Sequence, residues 1–273
     1  MKNGVLMFLA LCLSACASQA KLVEGNGHVV TREIPVEAFD EIHIGPSITN
    51  SGLLYNGENQ KKRPEFRYSQ EARKVLVVTA DENLFSELDI RVRDGELTIR
   101  TKDNVRIRPS RLLIEGGSDR LNEVSISGST RFSCMTSFEG DLLEVSVSGS
   151  GVADFPQSAR LSNADLNVSG SGLVSLGQLT CERVDGQVSG SGCVRLKGEG
   201  QEIDYSVSGS GKVDGSDYHA KQGDCSVSGS GSIEVYASEE LDLSVSGSGK
   251  IRYDGPANVR QSKSGSGLIQ KAF

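Results

Sequence analysis

Apolar and polar residues alternate with unusual strictness from Val124 to Gly267. The phrase Val145-Ser146-Val147-Ser148-Gly149-Ser150-Gly151 recurs in eight close copies, with first glycines Gly128, Gly149, Gly170, Gly190, Gly209, Gly229, Gly247 and Gly265. The intervals are 21, 21, 20, 19, 20, 18 and 18 residues. A unit this short cannot bury an apolar face alone, so the copies must stack as coils. Two residues before each first glycine stand Ile126, Val147, Val168, Val188, Val207, Val227, Val245 and then Lys263. Four residues after it stand Phe132, Ala153, Val174, Val194, Val213, Ile233, Ile251 and Ile269. The positions three before, one before and one after are serine in 22 of 24 cases, Asn167 and Gln187 being the exceptions. Period-two alternation sends the apolar set inward and the serines to solvent. The prediction is an all-β chain: a right-handed parallel β-solenoid of eight turns over residues 124–273. The paired glycines mark where the chain bends or the walls approach closely. Gln261, Lys263 and Lys271 fall in slots that are apolar in earlier turns, so the last turn reads as a cap against edge pairing.

Residues 29–123 show shorter runs and read as a mixed-β head. Glu33–Val36, Glu41–Ile44, Val75–Val78, Leu88–Val92 and Leu97–Ile99 are strand candidates, and Asp94-Gly95 carries a hairpin signal. Asp81 to Leu88 suits one helical turn capped by Asp81, with Leu84, Phe85 and Leu88 on one side. Asn56–Pro64 is polar, carries Lys61-Lys62-Arg63 and reads as a loop.

The N-terminus changes the picture of where this rod works. Lys2 followed by the apolar run Val5–Leu13 is too short to span a bilayer and suits a secretory signal. Leu13-Ser14-Ala15-Cys16 is similar to a bacterial lipobox, which implies removal of residues 1–15, lipidation of Cys16 and a tether over residues 16–28. Ala15-Cys16-Ala17 would also allow ordinary cleavage, but the leucine and cysteine stand where the lipobox needs them. Acyl chains at Cys16 would anchor the chain to an envelope membrane. An aspartate after the cysteine would have argued for inner-membrane retention; Ala17 points to the outer membrane. Loss of Lys2 takes the net charge from −7 to −8. With Trp absent and aromatics at 5%, that acidity disfavours nucleic acid as a partner.

The candidate binding face is the grid of hydroxyls at Ser148, Ser150, Ser169, Ser171, Ser189, Ser191, Ser208, Ser210, Ser228, Ser230, Ser246 and Ser248. It offers regular donors and acceptors to a glycan or protein partner in the envelope, or simply stays solvated. A glycan platform usually adds exposed rings, and Phe132, Phe155, Tyr205 and Tyr253 fall at inward positions. Five residues after the first glycine runs a charged column: Asp154, Ser175, Arg195, Asp214, Glu234 and Arg252. Asp214 beside Glu234, flanked by Arg195 and Arg252, could supply acid and base to a polysaccharide lyase or hydrolase. Alternating charges on an exposed ladder ordinarily just screen one another, worth ~0–1 kcal/mol per pair. Of the remaining cysteines, Cys134 and Cys225 read as core thiols, Cys193 faces out and Cys181 lies in a corner between turns. None shares a column with another on an adjacent turn, so no bridge is expected, though a 181–193 link stays open in an oxidising compartment. The cysteines fit no zinc pattern, and His28, His43 and His219 show no metal or triad spacing. No cofactor is expected.

The stretches Phe39-Asp40-Glu41-Ile42, Ala80-Asp81-Glu82-Asn83-Leu84 and Val92-Arg93-Asp94-Gly95-Glu96-Leu97-Thr98-Ile99 resemble the head GIN domain of the auto-transporter adhesin family, as do the Val-Ser-Gly-Ser-Gly copies. The resemblance implies a secreted or lipid-anchored envelope protein with a β-helical fold. Together these readings predict a non-enzymatic interaction module, with the polysaccharide-active enzyme as the alternative.

Overall fold

The computed structural model describes residues 20–48 and 63–272. The signal segment, Cys16 and Lys61-Lys62 lie outside the described residues. The head contributes β1 (Lys21–Glu24), β2 (Val29–Pro35), β3 (Glu41–Ile44), β4 (Glu65–Gln70), β5 (Val75–Asp81), β6 (Leu88–Arg93), β7 (Glu96–Thr101), β8 (Val105–Arg108) and β9 (Leu112–Ser118). The repeats contribute β10 (Glu123–Ile126), β11 (Arg131–Cys134), β12 (Phe138–Gly149), β13 (Val152–Gly170), β14 (Leu173–Gly190) and β15 (Cys193–Gly209). They end with β16 (Lys212–Gly229), β17 (Ser232–Gly247), β18 (Lys250–Asp254), β19 (Asn258–Gly265) and β20 (Leu268–Lys271). β13 to β17 are long because hydrogen bonding to the neighbouring coil continues around a bend.

Each phrase pairs in parallel with the next, residue for residue: Val147 with Val168, Val168 with Val188, Val188 with Val207. The predicted parallel solenoid is therefore what forms. Eight phrases delimit about seven turns, one fewer than the number of copies suggests.

The sheet does not stop at residue 123. β3 pairs in parallel with both β7 and β10, and β4 with both β9 and β11. The head thus supplies two further coils in the same stack, out of chain order: β7–β9 lies below β3–β4, which lies below β10–β11. Antiparallel partners close the base, β6 on β7 and β5 on β9, with β2 outside β5. Asp94 and Gly95 both have positive φ (50° and 87°), the hairpin turn that joins β6 to β7. The tether interval contains a strand, since β1 pairs in parallel with β8.

Two apolar ladders show the continuity. One runs Ile99, Ile44, Ile126, Val147 and on through valines to Val245; the other runs Ile114, Phe66, Phe132, Ala153, Val174 and on to Ile251. All of these are buried. At the base the lumen is filled by rings, with Phe66 and Tyr68 stacked on Phe132 and Phe155 beyond it. Above, the core is mostly valine, leucine and isoleucine, with the rings of Tyr205 and Tyr218 also fully buried. Gln261, Lys263 and Lys271 keep their inward register but are exposed, because no coil covers them.

The two glycines of a phrase do different work. Gly170 has φ of 141°, and a Cβ there would stand 2.7 Å from the carbonyl oxygen of Gly149 in the coil before. Gly172 has ordinary backbone, but its Cβ would collide with Cγ1 of Val147. The first glycine therefore turns the corner half-buried, and only the second faces the lumen. Between them the ladder continues, Ser171 N–H donating to Gly149 O at 2.8 Å and Leu173 N–H to Gly151 O at 3.0 Å.

Two local expectations need correcting. Glu82–Leu84 forms one 3-10 turn, but Asp81 does not cap it. The Asp81 carboxylate instead accepts from Gly27 N–H (2.8 Å), Ser110 N–H (2.8 Å) and Ser110 Oγ (2.6 Å), tying the link between β1 and β2 to the loop before β9. Burial disfavours the Asp81 anion, yet these hydrogen bonds prevail and hold its pKa below the ordinary value. Cys181 is not in a corner: it is a buried strand residue in register with Leu161 and Gly200.

Candidate functional site

All twelve serines of the predicted binding face are exposed. Their columns run in register, Ser148–Ser169–Ser189–Ser208–Ser228–Ser246, on the outer side of the valine ladder. Bonds between neighbours are sparse and local, such as Ser248 Oγ with Ser266 Oγ at 3.1 Å. Most of these hydroxyls are turned to solvent.

The predicted charged column also forms: Arg195 pairs with Asp214, Asp214 with Glu234, and Glu234 with Arg252. Sequence reasoning missed Lys212, two residues before Asp214, whose Nζ lies 3.0 Å from Glu234 and 3.4 Å from Asp214. Arg252 reaches Glu234 at 3.6 Å and Arg195 reaches Asp214 at 3.8 Å. Burial works against the Lys212 ammonium, but the hydrogen bond to Glu234 and the two carboxylates outweigh it and hold its pKa above the usual lysine range. An acid and base pair for sugar cleavage needs one carboxyl that keeps its proton; here three cations surround two carboxylates.

A second column, five residues before each first glycine, was not singled out in the sequence. In register it reads Glu96, Glu41, Glu123, Glu144, Asp165, Asp185, Asp204, Asp224 and Asp242. Nine carboxylates stand one strand spacing apart, and Arg260 closes the row by a two-pronged pair to Asp242 at 2.6 and 2.9 Å. Burial, then the charge of Asp185, raises the pKa of Asp165; burial, then Asp185 and Asp224, raises that of Asp204. The Arg260 hydrogen bond lowers that of Asp242.

His43 stands beside the base of this row, Nδ1 3.4 Å from Glu96 and Nε2 3.2 Å from Glu123. With Glu41 and Glu123 it forms the one trio among the described residues whose donor atoms, all within 4.8 Å of one another, could hold a metal ion. The three members come from two strands paired across 82 residues of sequence, which is why linear spacing hid them. His28 meets Glu82 at 3.0 Å on the surface, and His219 stacks on Tyr236 with ring centroids 4.2 Å apart. Sequence reading missed that ring pair too.

The four cysteines among the described residues are free, with Cys134, Cys181 and Cys225 buried and Cys193 half-buried. Burial pushes Cys134 and Cys181 up to about 11 and Cys225 higher still. These thiols are packing groups, not nucleophiles.

A rod of stacked coils with polar outer faces, built on a mixed-β base, is a parallel β-solenoid. The chain belongs to the family described as "Putative auto-transporter adhesin, head GIN domain", whose model matches residues 61–257. Solved structures agree along the whole fold. A "putative adhesin" from Parabacteroides merdae ATCC 43184 is 26% identical with a TM-score of 0.82, covering 93% of this chain and 100% of its own. A "Putative lipid binding protein" from Parabacteroides distasonis ATCC 8503 is 29% identical with a TM-score of 0.84, at the same coverage. A "putative adhesin" from the latter organism is 27% identical with a TM-score of 0.82, covering 92% of this chain and 100% of its own. No curated protein matches the chain.

Proposed function

We propose that this chain is an outer-membrane lipoprotein, anchored through Cys16, that acts as a non-enzymatic interaction module in the cell envelope. Its contact surface is the solenoid's outer face or the loops of the head, and its partner an envelope glycan or protein. The observation that carries this is the unbroken, exposed serine grid, whose hydroxyls are mostly uncommitted to one another. The family's adhesin-like members support a surface-associated role. The enzymatic alternative draws no support from Asp214 and Glu234, whose charges are matched by Lys212, Arg195 and Arg252.

Two measurements test the reading. Metabolic labelling with a palmitate analogue should mark the wild-type chain and not Cys16→Ser; equal labelling of both, or of neither, refutes the anchor. Photo-crosslinkers at Ser189 and Ser208 in intact cells should capture envelope material, and capture no greater than from a probe at exposed Glu139 refutes the serine face.

A further inference from the structure

A different side of the rod carries a groove of about 610 Å³, crossing five coils from Arg160 to Tyr236. Arg160, Thr180, Glu199, His219 and Tyr236 are successive partners in register and form one wall. Two residues further along each strand, Glu182, Gln201 and Lys221 stand on the same outer surface and form the other.

Three observations together characterise this groove. Its charged groups are open: Arg160, Glu182, Glu199 and Lys221 make no ion pair or side-chain hydrogen bond among the described residues. Just outside it the charges are matched, Arg183 with Glu202 and Lys197 with Asp217 at 2.9 Å. Second, it holds the stacked pair His219–Tyr236, at 24° between ring planes, with His219 exposed and Tyr236 half-exposed. Third, the open charges are two cations and two anions, so neither a polyanion nor a polycation is favoured along its length. Between them lie the hydroxyl of Thr180 and the amide of Gln201, each able both to donate and to accept.

We infer that this groove binds a neutral oligosaccharide chain, with the His219–Tyr236 stack packing on a sugar ring and Glu199, Gln201 and Lys221 bonding to its hydroxyls. A sugar presents an apolar C–H face edged by closely spaced groups that donate and accept at once. An amphipathic ring beside mixed donors and acceptors matches both features. The inference rests on the interaction-module reading and names its ligand class, but moves the contact from the serine grid to this groove.

The test is titration of the full chain in detergent with cellohexaose, maltohexaose and N-acetylglucosamine hexamer, against oligogalacturonate as the acidic comparison. Binding is followed by calorimetry and by the NMR signals of the His219 and Tyr236 rings. At least one neutral hexamer should bind and shift both rings. Tyr236→Ala should weaken it about tenfold, the loss of roughly one stacking contact. Tyr236→Phe, which keeps the ring, should bind within about twofold of wild type on the same scale. Glu199→Gln guards against a folding defect in the alanine variant and should also weaken binding. The inference is overturned if no neutral hexamer binds, if oligogalacturonate binds more tightly, or if Tyr236→Ala and Glu199→Gln leave affinity unchanged. Crosslinking through Ser189 and Ser208 that survives such a result would leave the interaction module standing on its serine face.

Discussion

Replacing Asp204 by asparagine should stabilise this protein, against the usual direction for a change on a packed sheet. Asp204 stands in register between Asp185 and Asp224, in a row of carboxylates without an intervening cation until Arg260. Unit charges one strand spacing apart, about 4.8 Å, repel by roughly 0.9 kcal/mol in a water-like dielectric. Side chains splay and salt screens, so each like-charged cross-strand neighbour is better taken as ~0.2–1 kcal/mol. Removing two neighbours gives Asp204→Asn a gain of about 1 kcal/mol at neutral pH and low salt. The gain should nearly vanish in 1 M NaCl, where the screening length falls to about 3 Å, less than the spacing. The pH dependence has a definite sign. Asp204 and Asp165 hold their protons more tightly folded than unfolded, since their folded pKa values are raised. The folded state therefore takes up protons first as pH falls from neutral towards the ordinary carboxylate value of 3.8, and stability rises over that range. Asp81 acts oppositely: its depressed pKa supports the fold above 3.8, and that support disappears below it. Urea denaturation of wild type and Asp204→Asn at pH 7 and pH 3, in low and high salt, measures all of this. A variant no more stable than wild type at pH 7, or a gain that persists in 1 M NaCl, refutes the repulsive ladder. Asp242→Asn is the internal control and should destabilise, because Asp242 alone in the row has an arginine partner on it.

Three further outcomes follow from the packing. Tyr205 is fully buried with its hydroxyl unpartnered, so Tyr205→Phe should gain about 1 kcal/mol in chemical denaturation, whereas Tyr218→Phe, which loses the bond to Cys181 O at 3.2 Å, should lose about as much. Gly190→Ala must place a Cβ 2.6 Å from Gly170 O at a φ of 142° and should cost at least ~2 kcal/mol, while Ser191→Ala beside it should stay within about 0.5 kcal/mol of wild type. Cys134, Cys181 and Cys225 should resist a thiol reagent at pH 8 in the native protein, and all four described cysteines should react once it is unfolded without reductant; a missing thiol in that titration reveals a bridge.

What the sequence made readable follows from how coil length varies. Intervals shrink from 21 to 18 residues, and the shortening is absorbed at irregularities such as Phe155/Ser158, Leu176/Leu179 and Gly215/His219. Columns between a phrase's first glycine and that irregularity keep a fixed forward offset, which is why the lumen valines, the serine grid and the row through Asp214 and Glu234 could all be placed. Beyond it, forward counting fails: Arg160 is eleven residues after Gly149, whereas Tyr236 is seven after Gly229. Counted backwards from the next phrase the same column is steady for four of its five members, since Arg160, Thr180, Glu199 and His219 each stand ten residues before Gly170, Gly190, Gly209 and Gly229, while Tyr236 stands eleven before Gly247 because of the irregularity at Ala220/Gln222. The groove wall was therefore present in the linear pattern, but only in the frame of the following coil. The acid row needed no change of frame, only a reach of five residues back from each first glycine.

The head hid its role for a different reason. β3 and β4 join coils formed far later in the chain, so no local period announces Ile42 or Phe66 as rungs of the ladders that continue through Val145 and Ala153. Closing a contact across some eighty residues loses chain entropy that grows only slowly with loop length. Rings stacked at Phe66, Phe132 and Phe155 offset that loss where the stack begins. The upper coils are lined mainly by aliphatic side chains, with Tyr205 and Tyr218 added, and among the described residues the linked ring cluster of Phe66, Tyr68, Phe132, Phe138 and Phe155 is confined to the base. That aromatic base starts the stack, and it explains why the chain returns to insert β3–β4 between β7–β9 and β10–β11 instead of winding upward from its first strand. On this argument Phe132→Ala should unfold the repeats along with the head in a single transition; two separate transitions, with the repeats left at wild-type stability, would show that the upper coils stand without the base.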